Sequence, residues 1–241
     1  MARRPLRPVG AFITLEGGEG AGKSTQAEAL ARLLKDAGYA VTVTREPGGT
    51  ELGRRLHGIF QRRESPAVSP AAELLLFEAA RAQHVAELIR PALERGEIVI
   101  CDRFTDSSLA YQGYGRALDL KEIEAANRLA SGGLVPDLTL LLDVPPEVGL
   151  ARKEHERTGD SIGGESLGFH RRVREGYLAF ARREPKRIVV LDATRPEAET
   201  TRTAWEEVQR LLARRTRKQQ RPRSPRAVSR GSPHPPSGQV T

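Results

Sequence analysis

The sequence of 241 residues contains a single cysteine, Cys101. An intramolecular disulfide is therefore excluded, and a lone thiol is in keeping with a reducing, cytoplasmic compartment. The sequence also lacks any apolar run of about 18 residues, the length at which a membrane-spanning helix is considered. The apolar stretch that follows the Arg- and Pro-rich start, residues 11–15, is too short for the core of a secretory signal. We expect a cytoplasmic protein that does not enter a membrane.

Acidic residues are missing from the C-terminal segment 215–241. This segment has seven Lys or Arg and no Asp or Glu, so residues 1–214 hold only +1 of the net charge of +8. It is rich in Arg, Pro and Ser and has too few apolar residues to form a core. We predict a disordered lead at 1–10, a folded domain at 11–214 and a disordered basic tail at 215–241. Contact with nucleic acid is expected at most nonspecifically, through the tail.

Short apolar runs alternate with segments of helical spacing along the predicted domain. Because the runs lack an alternation of apolar and polar residues, both faces of the strands should be buried. Strands that alternate with helices predict an α/β fold with a five-stranded parallel sheet and helices on both faces. The predicted strands are 11–16, 40–44, 98–101, 138–142 and 187–191, and the predicted helices are 21–37, 51–60, 70–94, 119–131, 146–154, 166–183 and 196–214.

The strongest motif is the glycine-rich segment GGEGAGKS at 17–24, between the first strand and the first helix. It matches G-x-x-x-x-G-K-[ST], the phosphate loop of nucleoside triphosphate-binding proteins. In such a loop the backbone N–H groups and the helix N-terminus face phosphate oxygens. Lys23 would contact the β- and γ-phosphates, and the Ser24 hydroxyl would bind Mg²⁺. The predicted nucleotide contacts are Gly17, Gly18, Glu19, Gly20, Ala21, Gly22, Lys23, Ser24 and Thr25; the motif alone does not separate a kinase from an ATPase or a GTPase.

An acid and an arginine follow the third predicted strand, at Asp102 and Arg103. The second carboxylate near Mg²⁺ occupies such a strand end in phosphate-loop enzymes, and ligands of open parallel sheets bind there. We predict Asp102 as a metal ligand together with Ser24. The planar guanidinium of Arg103 suits bidentate contact with phosphate. The alternative is a turn-forming Asp102 that pairs with its own neighbour.

Further segments closely resemble those of the thymidylate kinase family. They occur in the family's order over about residues 12–212, and the absence of arginine from the phosphate loop is typical of bacterial members. The segments are TREPGGT at 44–50, LFEAAR at 76–81, DRFTDSSLAYQG at 102–113, PDLT at 136–139 with LDV at 142–144, and DAT at 192–194.

This resemblance implies a P-loop kinase fold with a short lid at about 154–165, and a homodimer. It implies transfer of the γ-phosphoryl group of ATP to dTMP, which gives dTDP for dTTP synthesis. Glu19 would face the 3′-hydroxyl of the sugar, and Tyr111 would disfavour a 2′-hydroxyl. The remaining implied substrate contacts are Phe77, stacked on thymine; Arg81 and Ser108, bonded to the base; Gln112, near the sugar and base; Arg45 and Arg103, on the acceptor phosphate; and Glu46.

The lid departs from the bacterial pattern of this family. Members without an arginine in the phosphate loop usually have lid arginines and then a D-R-hydrophobic-E segment, whereas residues 160–163 here read DSIG. An arginine on a transferring phosphate can contribute ~10³ or more in rate, so the change implies a slow enzyme, a shifted donor or an altered substrate range. Among the basic residues Arg152, Lys153 and Arg157, we predict Arg152 or Arg157 as the catalytic donor. The alternative for each is a solvated surface position.

Two other functions stay open at this point. A different nucleoside monophosphate kinase or a P-loop ATPase would share the phosphate loop, although Phe77, Arg81 and Ser108 together suit a thymine-like base. A weakly active or inactive homologue would instead serve as a polyanion-binding module through its basic tail. We also predict that His155 and His170 are surface histidines, since the sequence shows no partner for either.

Overall fold

The computed structural model describes residues 10–61, 68–156 and 165–220. Five parallel strands form one sheet in the order β2-β3-β1-β4-β5, which confirms the predicted α/β architecture. The strands are β1 Ala11–Glu16, β2 Val41–Arg45, β3 Ile98–Asp102, β4 Leu138–Asp143 and β5 Ile188–Asp192.

Helices cover both faces of this sheet. Residues Ile13 and Leu15 of β1 pack with α1 and α9 on one face, whereas Phe12 packs with the helical segment around Ile89 on the other. The helices are α1 Lys23–Asp36, α2 Glu51–Gln61, α3 Pro70–His84, α4 Arg90–Glu94, α5 Thr105–Ser108, α6 Leu120–Ser131, α7 Pro146–Glu156, α8 Leu167–Arg183 and α9 Glu197–Gln220. Two π-helical turns, Val85–Ile89 and Leu109–Gly115, join α3 to α4 and extend α5.

The expectation that both faces of every strand are buried is wrong at the edges of the sheet. Strands β1 and β3 are fully buried, but Val43 of β2 is 42% exposed and Val190 of β5 is 45% exposed. An edge strand has one neighbour and incomplete helical cover. Apolar runs in the sequence do not distinguish it from a central strand.

Two helical segments differ from the sequence predictions. The segment 105–115 is helical, although its polar, glycine-bearing sequence gave no helical pattern. Helix α9 continues to Gln220, so the first six residues of the predicted disordered tail are helical, while residues 221–241, like 1–9, lie outside the described part. Within the described ranges, no helix combines the length and the apolar character needed to cross a membrane.

Candidate active site

Close packing shapes the phosphate loop between β1 and α1. Gly17 has a φ of 140°, and a Cβ there would lie 2.4 Å from the carbonyl oxygen of Leu142 in β4. Gly20 has a φ of 63°, and a Cβ there would lie 1.9 Å from the carbonyl oxygen of Gly149 in α7. Glycine is required at both positions because no side chain fits and the backbone is left-handed at Gly20. The loop is thus held against β4 and α7.

Lys23 begins α1, and its ammonium group turns back into the loop. Its Nζ donates to the carbonyl oxygens of Gly18 at 2.7 Å and Gly17 at 3.2 Å. Burial, reinforced by the charge of Arg103, lowers the pKa of Lys23 to about 8. Among the described residues the ammonium of Lys23 donates only to carbonyl oxygens, and such a buried cation is suited to receive phosphate oxygens.

Ser24 and Asp102 meet at the ends of β1 and β3. The Ser24 hydroxyl donates to Oδ2 of Asp102 at 2.6 Å. The other carboxylate oxygen, Oδ1, is buried and has no hydrogen-bond partner among the described residues. A hydroxyl beside an unsatisfied carboxylate oxygen is a donor set that fits Mg²⁺, which takes oxygen ligands. The alternative in which Asp102 pairs with Arg103 is not observed in the described ranges.

Arg103 instead turns toward the phosphate loop from a left-handed backbone, with a φ of 71°. Its Nη2 donates to Oε1 of Glu19 at 2.7 Å and to the Tyr111 hydroxyl at 3.1 Å, and its Nη1 donates to the Gly17 carbonyl at 3.2 Å. The Tyr111 hydroxyl also donates to Glu19 at 3.0 Å. Left-handed backbone is costly for a residue with a side chain and persists where its surroundings fix it. The structure therefore brings together three predicted site residues, Glu19, Arg103 and Tyr111.

Helix α7 brings a lysine to the same carboxylate. Gly149 lies against the loop, and Lys153, one turn later on that face, donates from Nζ to Oε2 of Glu19 at 2.6 Å. Burial by itself would raise the pKa of Glu19, but the charges of Arg103, Lys23 and Lys153 hold it well below its usual range. Glu19 is thus a carboxylate surrounded by three cations.

Arg152, one of the two predicted donors, lies apart from Glu19. Nη1 of Arg152 donates to the carbonyl oxygen of Ala193 at 3.0 Å and lies 3.5 Å from that of Gly20, so its guanidinium bridges the turn after β5 and the phosphate loop. Arg157, segment 160–163 and most of the predicted lid at 154–165 lie outside the described residues.

Two adjoining cavities share Glu19 and Arg103. The first contains the phosphate loop together with Arg152, Lys153 and the turn at residues 193–197. The second lies on the other side of Arg103 and is lined by Phe77, Arg81, Ser107, Ser108, Tyr111 and Gln112, with Phe60 and others. The phosphate loop and the pocket of Phe77 and Arg81 thus lie on opposite sides of a shared wall that includes Glu19 and Arg103.

Arg81 forms a fixed, buried wall of the second cavity. Burial opposes its charge, but the ion pairs with Glu46 and Glu78 raise the pKa of Arg81 above its usual value. Glu46, predicted as a substrate contact, lines both cavities and also supports Arg81 and His84. The acceptors around Arg81 are Glu46 Oε2 at 2.8 Å, Ser108 Oγ at 3.0 Å, Asn127 Oδ1 at 2.6 Å, the Phe104 carbonyl at 3.1 Å, and Glu78.

Aromatic and amide side chains complete this cavity. Phe77 is half-buried and stacks on Phe60, with ring centroids 4.9 Å apart and planes 14° apart. The sequence does not predict Phe60 as a site residue, since an aromatic side chain in an amphipathic helix is interpreted as part of the hydrophobic core. The amide of Gln112 donates to Oε1 of Glu73 at 2.8 Å and is buried. Arg45 stands at the end of β2, exposed beside the phosphate-loop cavity.

Two buried polar residues near the site differ from the sequence predictions. Glu16, at the end of β1, is fully buried and bonded to Tyr177 of α8 at 2.9 Å. His170 is 4% exposed, so its assignment to the surface is wrong. Its Nε2 has no hydrogen-bond partner among the described residues, and burial lowers its pKa. The spacing of Phe169, Val173 and Tyr177 along α8 was the available signal, because it marks a buried helix face next to His170.

A comparison of the sequence with known families decides among enzymes that carry a phosphate loop. The profile of the thymidylate kinase family matches residues 15–204. This chain belongs to the thymidylate kinase family. The match runs from the end of β1 into α9 and includes all the site residues that were predicted from sequence. Family membership favours the predicted kinase over the alternatives of an ATPase or a polyanion-binding module.

Individual thymidylate kinases resemble this family member over most of their length. One from Synechococcus sp. (strain JA-2-3B'a(2-13)) is 53% identical over 201 residues, which are 83% of this chain and 95% of the relative. One from Deinococcus radiodurans is 54% identical over 198 residues, 81% of this chain and 95% of the relative. The crystal structure of thymidylate kinase from Ehrlichia chaffeensis has a TM-score of 0.66 and 34% identity, and covers 84% of this chain and 98% of its own.

Proposed function

We propose that this protein transfers the γ-phosphoryl group of ATP to dTMP, giving ADP and dTDP. The observation that carries the proposal is the shared wall between the two cavities, where Glu19 and Arg103 separate the phosphate loop from the pocket of Phe77 and Arg81. A donor phosphate chain and an acceptor monophosphate bound in these cavities would meet at Arg103. Membership of the thymidylate kinase family supports dTMP as the acceptor.

The donor phosphates would be held by the loop and by Lys23. The ammonium of Lys23 exchanges its bonds to the carbonyls of Gly17 and Gly18 for bonds to β- and γ-phosphate oxygens. Arg152, beside the Ala193 carbonyl, lies where the loop cavity meets the turn after β5. Because the transition state spreads charge over phosphoryl oxygens, fixed cations contribute more there than covalent chemistry does.

Magnesium would be held by Ser24 and Asp102. The buried Oδ1 of Asp102 is without a hydrogen-bond partner in the described part of the chain, and the Ser24 hydroxyl lies on the other oxygen. When bound there, Mg²⁺ neutralises charge on the donor phosphates.

The acceptor phosphate would lie between Arg103 and Arg45. Arg45 is exposed at the cavity and has no hydrogen bond or ion pair among the described residues, so its guanidinium is available to a ligand. Arg103 would bind the phosphate with its planar guanidinium while Glu19 keeps it in place. The carboxylate of Glu19 also supplies an acceptor for the 3′-hydroxyl of the sugar.

The thymine would stack on Phe77 in the second cavity. Arg81 bonds the Phe104 carbonyl through Nη2, which carries two N–H groups, so a second donor is available to the base. Ser108 and Gln112 present further polar groups to the cavity. The buried hydroxyl of Tyr111, bonded to both Glu19 and Arg103, would disfavour a ribose 2′-hydroxyl.

A panel of acceptors tests the proposed function by ADP release and by direct detection of the diphosphate product. We expect dTMP to have the highest kcat/KM, with dUMP lower by roughly 10- to 200-fold because it lacks one methyl group. Turnover of UMP, CMP or AMP equal to that of dTMP would contradict the proposal. ADP release without any acceptor would indicate an ATPase. It stays a prediction that the protein is a cytoplasmic homodimer and that Arg157 takes part in the transfer of the phosphoryl group.

Lys153 is the basic residue that we assign to the transfer step. Its Nζ lies 2.6 Å from Glu19 at the shared wall, whereas the guanidinium of Arg152 is bonded to the Ala193 carbonyl. We expect Lys153→Ala to lower kcat by roughly 10²-fold, the effect of removing one preorganised donor. Arg152→Ala should act mainly on KM for ATP. Steady-state kinetics with both substrates measures the two variants, and a kcat of Lys153→Ala within twofold of the wild type would exclude this role.

A further inference from the structure

We infer that Glu16, at the end of β1, is a positioning residue for Arg103, and that its carboxylate must be ionised for Arg103 to keep its place. The inference rests on the proposed function, in which Arg103 binds the acceptor phosphate. Glu16 itself lines neither of the two cavities described above, so it acts through its neighbours.

Three donors converge on the buried carboxylate of Glu16. Its Oε1 accepts from the backbone N–H of Phe104 at 2.7 Å, and its Oε2 accepts from the hydroxyls of Ser107 at 2.6 Å and Tyr177 at 2.9 Å. Glu16 is 0% exposed. An ionised carboxylate accepts at both oxygens, whereas a protonated one carries a hydrogen that must itself be donated. The Ser107 and Tyr177 hydroxyls also lie 2.8 Å from each other. When both direct their protons to Oε2 of Glu16, the donors match the charged form.

The same donors hold Arg103 from two sides. Phe104 follows Arg103 directly, so the bond from its N–H to Glu16 anchors the backbone that gives Arg103 its left-handed φ of 71°. The Ser107 and Tyr177 hydroxyls each lie 3.4 Å from Nη1 of Arg103. Hydroxyls that donate to Glu16 present their lone pairs to the guanidinium. Glu16 is thereby linked to both the backbone and the side chain of Arg103.

The surroundings of Glu16 shift its pKa, so that its carboxyl group ionises near neutral pH. Burial, followed by repulsion from Asp106, raises the pKa of Glu16 to about 7, against the lowering effects of Ser107, Arg103 and the Phe104 N–H. Arg187 donates to the two carboxylate oxygens of Asp106 at 2.7 and 2.9 Å. The other titratable groups that interact with Glu16 are Tyr177 on α8, Lys23 on α1 and Cys101 on β3.

Protonation should weaken the hold of this arrangement on Arg103, because it removes the negative charge that attracts the guanidinium. The hydroxyl that accepts the new carboxyl proton must also turn its own proton toward the other hydroxyl, 2.8 Å away. Because Glu16 is protonated below its pKa, kcat/KM for dTMP should fall as the pH drops below about 7. KM for ATP should change little, since Lys23 donates its hydrogen bonds to the carbonyls of Gly17 and Gly18 and not to Glu16.

The kinetic test compares the full-length protein with Glu16→Gln from about pH 5.5 to 9. Glutamine keeps the shape, but it turns one acceptor into a donor that faces a donor. We expect kcat/KM for dTMP at pH 8 to fall at least tenfold, with the acidic limb near pH 7 lost and KM for ATP within twofold. Glu147→Gln, on the exposed side of α7, is the matched control and should leave the profile unchanged. Retention of the limb at its wild-type midpoint in Glu16→Gln would overturn the inference.

A second variant keeps the inference testable if Glu16→Gln does not fold. Ser107→Ala removes a hydrogen bond that stabilises the charged carboxylate, so the acidic limb should move to higher pH. An unmoved limb would overturn the role of Glu16.

Thermal unfolding without substrate separates failure of this inference from failure of the proposed function. The pKa of Glu16 is higher in the folded than in the unfolded chain, so the stabilisation by its protonated form is complete below about pH 4.5 and is lost as the pH rises through about 7. The Tm of the wild type should therefore fall relative to Glu16→Gln between about pH 5 and 8. A Tm difference that does not vary with pH would overturn the inference. Absence of dTMP turnover in the wild type would overturn the proposed function instead.

Discussion

Replacing Lys23 with alanine should lower kcat for dTMP phosphorylation by roughly 10²- to 10³-fold, the effect of removing one preorganised group from a developing anion. Lys23 is the ammonium that the loop directs toward phosphate, and its bonds to Gly17 and Gly18 hold it there. The fold should survive, because burial already lowers the pKa of Lys23 and so disfavours its charge. Steady-state detection of dTDP, with circular dichroism to verify folding, measures the effect.

Lys35→Ala is the matched control for this prediction. Lys35 lies on the same helix, exposed in its last turn, so the substitution removes the same charge from α1 away from the loop. We expect its kcat and KM to equal those of the wild type. Production of dTDP by Lys23→Ala at the wild-type rate would show that the loop does not hold the phosphoryl donor, and the proposed function would fail with it.

Replacing Arg103 with alanine should have an effect of similar size, roughly 10²- to 10³-fold on kcat, together with a higher KM for dTMP. Arg103 is the cation at the shared wall of the two cavities, and it would contact the acceptor phosphate in both the ground state and the transition state. Glu19 keeps Lys153 and Tyr111 as partners in the variant, so no buried carboxylate is left alone. Kinetics with each substrate varied in turn separates the two effects.

Arg103→Lys distinguishes the shape of the side chain from its charge. Arginine, lysine and alanine all have a Cβ, so the strain of the left-handed backbone at φ 71° is similar in the three proteins. Lysine keeps the positive charge but loses the planar pair of donors. We expect kcat of Arg103→Lys to lie between those of the wild type and Arg103→Ala, while Arg183→Ala, at an exposed position of α8, should behave as the wild type. Full activity of Arg103→Lys would mean that charge alone suffices.

The phosphate loop and its surroundings were predictable because their chemistry is local. The segment from Gly17 to Thr25 is contiguous, and its glycines and Lys23 determine the turn and the position of the cation. Asp102 ends the buried strand β3 and Arg103 follows it directly, so the parallel sheet places them at the edge where the phosphate loop follows β1. The roles expected for Phe77, Arg81 and Ser108 came from family resemblance. Apolar runs predicted the strands, but could not show that β2 and β5 lie at the edges.

The sequence by itself determined that the chain has an α/β fold with a phosphate loop and an acid–arginine pair at a strand end. Only the tertiary structure decided which residues support that pair. Lys153 is 134 residues from Glu19, and Tyr177 is 161 residues from Glu16, so no local pattern connects them. Their contacts arise because Gly149 lets α7 approach the loop and because one face of α8 is buried. Side-chain partners at such separations depend on helix packing, which the spacing of residues along one helix does not specify.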